Sequence, residues 1–363
     1  MKTNMNEKEL ALLFLDGFLN LDYKHKRAII NLYEDISLLL TEPQLALDYL
    51  YYNVSPSASN TFNSALQNDF LSVLIKKYES RNIQVVTEES ENYPIKLYQT
   101  DFKPICLYAL GNVNLLSSDK TFAIVGSRKT LPAICKITEN ISYQLSNNGV
   151  VIVRGVANGG DKSAIKGAIS TGNVICVLAS GCDYIESEQN HDLIKKVIES
   201  GGLVISEYQP EIPPKNYHYP IRNRIIAGLS DGALIVSGNL KSGTRYTVDY
   251  SLDYGREVFA FPYGIGDVTG ELCNRLIKDG AHLVTEVNDI VETLGYESGS
   301  ETQIILTDDE TEIYNLIKQG VITPDGIAQV TEKKIFEIVP ILTTLELKGV
   351  IVKNSGSEYT AIK

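Results

Sequence analysis

The chain has 363 residues, 44% hydrophobic and 21% charged, with 27 glycines and 12 prolines, which excludes collagen-like, disordered and coiled-coil classes and suits two or three domains. Thirty-three Lys and Arg against 45 Asp and Glu leave a net charge of -12, which rules out a surface basic all over but not a local basic groove. Five scattered cysteines without a C-x-x-C pair and four histidines without ligand spacing suggest neither a disulfide framework nor a metal site. No apolar stretch approaches the ~20 residues that span a bilayer, and the polar N-terminus lacks a secretory pattern, so a soluble, cytoplasmic protein with no membrane partner is expected.

Residues 7–79 carry apolar side chains at three- and four-residue spacing (Leu10, Leu13, Phe14, Phe18, then Ile29, Leu32, Tyr33, Ile36). This period predicts an N-terminal helical domain over 1–80, a small bundle. Residues 81–117 change to short extended pieces around Pro94, Pro104 and Gly111, expected as a connecting segment packed on the core. Within 118–295, apolar runs at 122–125, 150–153, 174–179, 203–206, 233–236, 257–261 and 282–284 alternate with amphipathic helical stretches. Such alternation predicts an α/β fold with a doubly wound, mainly parallel, Rossmann-like sheet. Residues 296–305 are polar and small, as in a linker, and 306–363 read as three helices followed by two short strands, the order of a winged helix.

Loops that follow parallel strands line the binding crevice of such a sheet, and helices starting there point N–H groups and positive dipole ends into it. Four segments assigned to that edge are rich in Gly, hydroxyl and basic residues. They are Gly126-Ser127-Arg128-Lys129-Thr130, the run from Arg154 and Gly155 through Asn158 to Asp161, Tyr219-Pro220-Ile221-Arg222-Asn223-Arg224, and Lys241-Ser242-Gly243-Thr244-Arg245. Glycines admit phosphate oxygens to the backbone, hydroxyls and Asn donate, and arginine offers a planar fork, so the set reads as a phosphate cradle. Lys215 precedes the third segment and joins the candidate set. Neither G-x-G-x-x-G after a strand nor G-x-x-x-x-G-K-[ST] occurs, which disfavours NAD binding and P-loop hydrolysis. No Ser-His-Asp or Cys-His arrangement stands out; His218 reads as a loop residue, and Asp161 as the cap of the helix after it. No catalytic residue, cofactor or metal is therefore expected.

The segment ending Tyr-Pro-Ile-Arg-Asn-Arg-Ile-Ile-Ala-Gly-Leu-Ser at Ser230 resembles the hallmark of the DprA/Smf family of DNA-processing proteins, F-P-x-R-N-R-I-I-A-G-L-S. Val125-Gly126-Ser127-Arg128, Gly159-Gly160-Asp161, Gly181-Cys182-Asp183, Ser206-Glu207, Lys241-Ser242-Gly243 and the run from Asn274 to Ala281 are similar to further family features, and the resemblance covers residues 80–363. It implies a protein that is not an enzyme, binds single-stranded DNA as a homodimer, and helps load the RecA recombinase onto strands taken up in natural transformation. By the same resemblance Arg128, Arg222 and Arg224 would contact phosphates with Lys241 beside them, and Tyr219 would lie against a base.

The chain departs from the family pattern at Arg154, Ile165, Glu186-Ser187, Ser237 and Arg245. Gaining two arginines and losing an acid at 237 makes the inferred pocket more basic. Residues 306–363 hold nine Asp and Glu against six Lys and Arg, and Pro340 interrupts the recognition helix, which points to protein contact or regulation rather than duplex reading. Two rivals are a nucleotide-cleaving phosphoribohydrolase and a ligand-sensing regulator acting through the winged helix. The first needs a glutamate in a P-G-G-x-G-T-x-x-E loop, but Gly243-Thr244 is followed by Arg-Tyr-Thr.

Overall fold

The structure is a computed structural model that describes residues 5–156, 159–184, 188–296, 306–354 and 358–361. Asn158, residues 186–187 and nearly all of the expected linker lie outside the described residues. Met1–Thr285 forms one compact unit and Glu286–Lys363 a second.

The first unit is organised by a nine-stranded sheet. In chain order its strands are Gln84–Thr87 (β1), Cys106–Gly111 (β2), Thr121–Val125 (β3), Val151–Arg154 (β4), Val174–Val177 (β5), Leu203–Ser206 (β6), Gly232–Ile235 (β7), Glu257–Ala260 (β8) and His282–Leu283 (β9). Across the sheet they run β1-β2-β6-β5-β4-β3-β7-β8-β9. The seven strands read from the apolar runs are β3 to β9, and their pairings with one another are all parallel, for example Ala123 opposite Ala233 and Cys176 opposite Val204. Every residue of β3 to β7 is buried, so both faces are covered, and this is why these strands read as unbroken apolar runs instead of alternating. β1 and β2 join antiparallel at the β6 edge.

The first 80 residues supply helices Glu7–Asp16, Tyr23–Ile30, Leu38–Thr41, Gln44–Asn53, Pro56–Gln67 and Phe70–Glu79. Asn6 and Glu9 form a reciprocal cap that starts the first helix. Phe14, Phe18, Phe62 and Phe70 cluster with ring centroids 4.9 to 5.7 Å apart. These helices share a core with Ile105, Cys106 and Tyr108 at the sheet edge. Asp16 fixes that junction: its carboxylate accepts from Tyr108 Oη at 2.7 Å and pairs with Lys26 at 2.9 Å.

The second unit contains helices Val287–Thr293, Asp308–Lys318, Pro324–Thr331 and Ile335–Leu347, followed by Ile351–Lys353 (β10) and Tyr359–Ala361 (β11), which pair antiparallel. Its core is Ile313, Ile317, Ile327, Ile338, Leu342 and Leu345. Pro340 sits inside the last helix, where it removes one hydrogen bond. Among the described residues no helix is long and apolar enough to cross a membrane.

Candidate nucleic-acid interface

From β3 the chain builds β4, β5 and β6 outward on one side, then returns to lay β7, β8 and β9 on the other. The order therefore reverses between β3 and β7, and the crevice of such a sheet opens at the carboxyl ends of those strands. Three basic segments converge there. The turn after β3 is locked to the chain after β7, because Ser127 N–H donates to Ser237 O at 3.2 Å and to Ser237 Oγ at 3.0 Å. It is also locked to the helix Gly160–Ala168, since Gly160 N–H donates to Thr130 Oγ1 at 3.2 Å. Gly159 adopts a φ of +83°, and a Cβ there would stand 2.4 Å from the Ser127 carbonyl oxygen, so only glycine allows this approach.

The segment from Tyr219 to Arg224, read as a loop, instead forms the first turns of the helix His218–Leu229. Pro220 is tolerated because first-turn N–H groups have no partner within a helix. The helix abuts two of the basic loops. The Arg128 guanidinium lies 6.0 Å from the Tyr219 ring centroid, and Asn223 Nδ2 donates to Gly243 O at 3.4 Å.

Residues two apart point to opposite sides of a helix, and because this helix is covered on both sides its two arginines are enclosed, with different consequences. Arg224 forms an ion pair with Glu207, the residue after β6, and both are largely enclosed. Burial alone would lower the Arg224 pKa, but the Glu207 carboxylate outweighs it and holds the guanidinium above its ordinary value. Arg154, expected on phosphate, is 0% exposed. It pairs with Asp161 and donates from Nε to Gly155 O at 2.8 Å. Asp161 correspondingly does not cap the helix it begins; the cap position is Gly159, and the Asp161 carboxylate accepts from Gly126 N–H at 3.4 Å. Arg154 and Arg224 are thus charge-neutralised parts of the scaffold and do not stand free at the crevice.

Arg222 differs. It is 7% exposed, donates from Nη1 to the Val177 carbonyl and from Nε to Asn223 Oδ1 at 3.1 Å, and packs against Gly155. Burial pushes its pKa down to about 10, with the Asp161 charge opposing that and the Arg154 charge adding to it. Among the described residues no carboxylate pairs with it. At neutral pH it remains a buried cation held by neutral oxygens, a state that favours an incoming anion.

Around this buried floor stand exposed basic side chains: Arg128 and Lys129 after β3, Lys215 before the helix, and Lys241 and Arg245 after β7. Arg245 sits 3.8 Å from Asp249 one turn along its own helix, and Lys215 Nζ lies 5.7 Å from the Tyr217 ring. Ser242 Oγ accepts Thr244 N–H at 3.3 Å, and Gly243 caps the helix Thr244–Asp253. One participant, Tyr217, was not read from the sequence, and Ser237 was read only as a lost acid of the pocket. Ser237 ties the β3 and β7 turns together, and Tyr217 is an exposed ring beside the basic segment. The neighbourhood of Tyr217 to Lys215 was a visible signal; the role of Ser237 depends on a partner 110 residues away.

Residues 84–295, which contain the sheet and all of these loops, match the model of the DNA recombination-mediator protein A family. The chain belongs to this family, the DprA/Smf proteins. It is 34% identical to Protein Smf of Escherichia coli K12 over 290 residues, 77% of each chain. It is 37% identical to the DNA processing protein DprA of Streptococcus pneumoniae over 200 residues, 55% of this chain and 70% of that one. The solved structure of DprA from Streptococcus pneumoniae superposes with a TM-score of 0.66 at 30% identity, covering 80% of this chain and 98% of that one. A DprA from Helicobacter pylori, whose structure addresses its single-stranded DNA binding mode, gives 0.53 at 29% identity, covering 58% of this chain and 95% of that one. As a DprA/Smf protein the chain is a DNA-processing protein of the recombination-mediator class.

Proposed function

We propose that this chain grips single-stranded DNA by its backbone along the carboxyl edge of the sheet and, as a homodimer, delivers it to the RecA recombinase during natural transformation. The observation that carries the DNA reading is the convergence of exposed Arg128, Lys129, Lys241 and Arg245 around the buried Arg222, which no carboxylate pairs with among the described residues, on a chain whose net charge is -12. A basic rim at one edge of an acidic protein concentrates a polyanion there and leaves the rest of the surface repellent to it. The Helicobacter pylori relative, described for its single-stranded DNA binding mode, supports the same ligand. The RecA and dimer parts of the proposal rest on the family resemblance.

We read residues 306–363 as a winged helix whose last helix meets protein and not duplex DNA. Ile335, Phe336 and Val339 are exposed on it, flanked by Glu337 and by Lys334, whose Nζ lies 5.7 Å from the Phe336 ring centroid, and so apolar a face suits a protein partner better than phosphate.

Fluorescence anisotropy with a labelled oligothymidylate tests the DNA reading. The wild-type chain binds with a steep inverse salt dependence. Arg128→Ala, Lys129→Ala and Lys241→Ala together lower the log–log slope by about 2, since each lost single-strand phosphate contact removes roughly 0.7. An unchanged slope would reject this edge as the groove. Adding RecA to the preformed complex tests delivery, read as faster filament growth.

A further inference from the structure

Tyr217 immediately precedes the helix His218–Leu229 and is 57% exposed. Its ring nonetheless has a packing partner. It stands perpendicular, at 89°, to the His218 ring with centroids 4.7 Å apart. His218 in turn is buried and stacks on Tyr208 at 3.9 Å and 15°. His218 Nδ1 lies 3.0 Å from the Ala179 carbonyl oxygen, which anchors the middle ring to the chain after β5. Three rings thus form a ladder, with half-buried Tyr208 at one end, buried His218 in the middle and exposed Tyr217 at the other end, facing water.

An exposed aromatic that already packs edge-on against a buried ring has less side-chain freedom to lose when a flat partner covers it, which suits a stacking platform. The Lys215 ammonium is 5.7 Å from the same ring. A lysine so placed can hold the phosphate of a nucleotide whose base rests on the ring. We infer that Tyr217 is a base-stacking platform: it takes one unpaired base of the bound strand, with Lys215 on the adjoining phosphate. This rests on the single-stranded DNA reading above. Because every base has a π-face, the platform accepts any sequence.

The test compares an oligothymidylate with an abasic oligomer of equal length, which keeps the phosphates and lacks the bases. Tyr217→Ala weakens oligothymidylate binding on the order of tenfold, leaves abasic binding within about twofold, and does not change the salt slope. Tyr217→Phe, which keeps the ring, restores wild-type affinity. Circular dichroism of each variant checks the fold. Equal losses on both oligomers, or no loss on either, overturn the inference while leaving the groove intact. A wild-type chain that binds neither oligomer overturns the DNA reading itself, and the platform with it.

Discussion

The Arg222 guanidinium lies against the backbone of Gly155, so close that a Cβ at position 155 would meet its terminal nitrogens at 2.5 Å. The arginine's position is therefore set by the absence of a side chain on a different strand end. Gly155→Ala pushes the guanidinium off the Val177 carbonyl, and the loss of a charged hydrogen bond should cost about 1 to 3 kcal/mol of stability. It should also weaken single-stranded DNA binding. In a double-mutant cycle with Arg222→Ala the two losses are expected to be strongly non-additive by urea unfolding and by anisotropy; simple additivity would separate the two residues.

The Arg154–Asp161 pair invites a different experiment. Asp161→Ala leaves a fully enclosed guanidinium without its counter-charge, and breaking such a pair from one side typically costs about 3 to 5 kcal/mol. Replacing both partners by apolar residues of similar volume should recover most of that loss. Urea midpoints of the single and double variants decide it, and a mild single-variant effect would mean that the pair is solvated.

Substitution of Arg224 and of Arg128 should be distinguishable by stability alone. Arg224→Ala strands the enclosed Glu207 carboxylate and is expected to lower the melting temperature sharply. Arg128→Ala with Lys129→Ala, both exposed, should change stability by less than about 0.5 kcal/mol while reducing DNA affinity. The surface pair is thus the cleaner probe of binding. Differential scanning fluorimetry beside anisotropy reads both quantities, and an Arg224 variant as stable as wild type would contradict the inward placement.

His218 makes stability depend on pH. Burial lowers its pKa below the ordinary 6.5; the nearby Lys215 charge lowers it further, while the hydrogen bond to Ala179 and the Glu207 charge oppose the shift. A depressed folded-state pKa means that the unfolded chain takes up the proton first. The contribution is therefore present above about pH 6.5 and is lost as pH falls through the folded value. His218→Gln should flatten that acid limb in urea titrations across this window. A limb of unchanged steepness would assign the dependence to other groups.

Much of this protein was legible as sequence because the relevant physics is local. Unbroken apolar runs announced β3 to β7, since strands covered on both faces need no polar side, and shorter apolar runs marked β8 and β9. Periodic Leu, Phe and Ile announced the helices of the first 80 residues. Glycines, hydroxyls and cations after the strands marked the edge where the chain reverses.

The directions of the charges were decided only by the tertiary structure. A sequence records that residues 154, 222 and 224 are arginines; it does not record that Asp161 comes back under the first, that Glu207 ends a strand beside the third, or that the second is left among neutral oxygens. Whether a guanidinium serves the scaffold or a ligand depends on which carboxylates the parallel pairing brings within a few ångströms. That pairing joins strand ends far apart in the chain. The Tyr219–Arg224 turn became a helix for a related reason: Pro220 signals a loop by itself, yet at a helix start it loses no hydrogen bond, and packing against the sheet determines which applies.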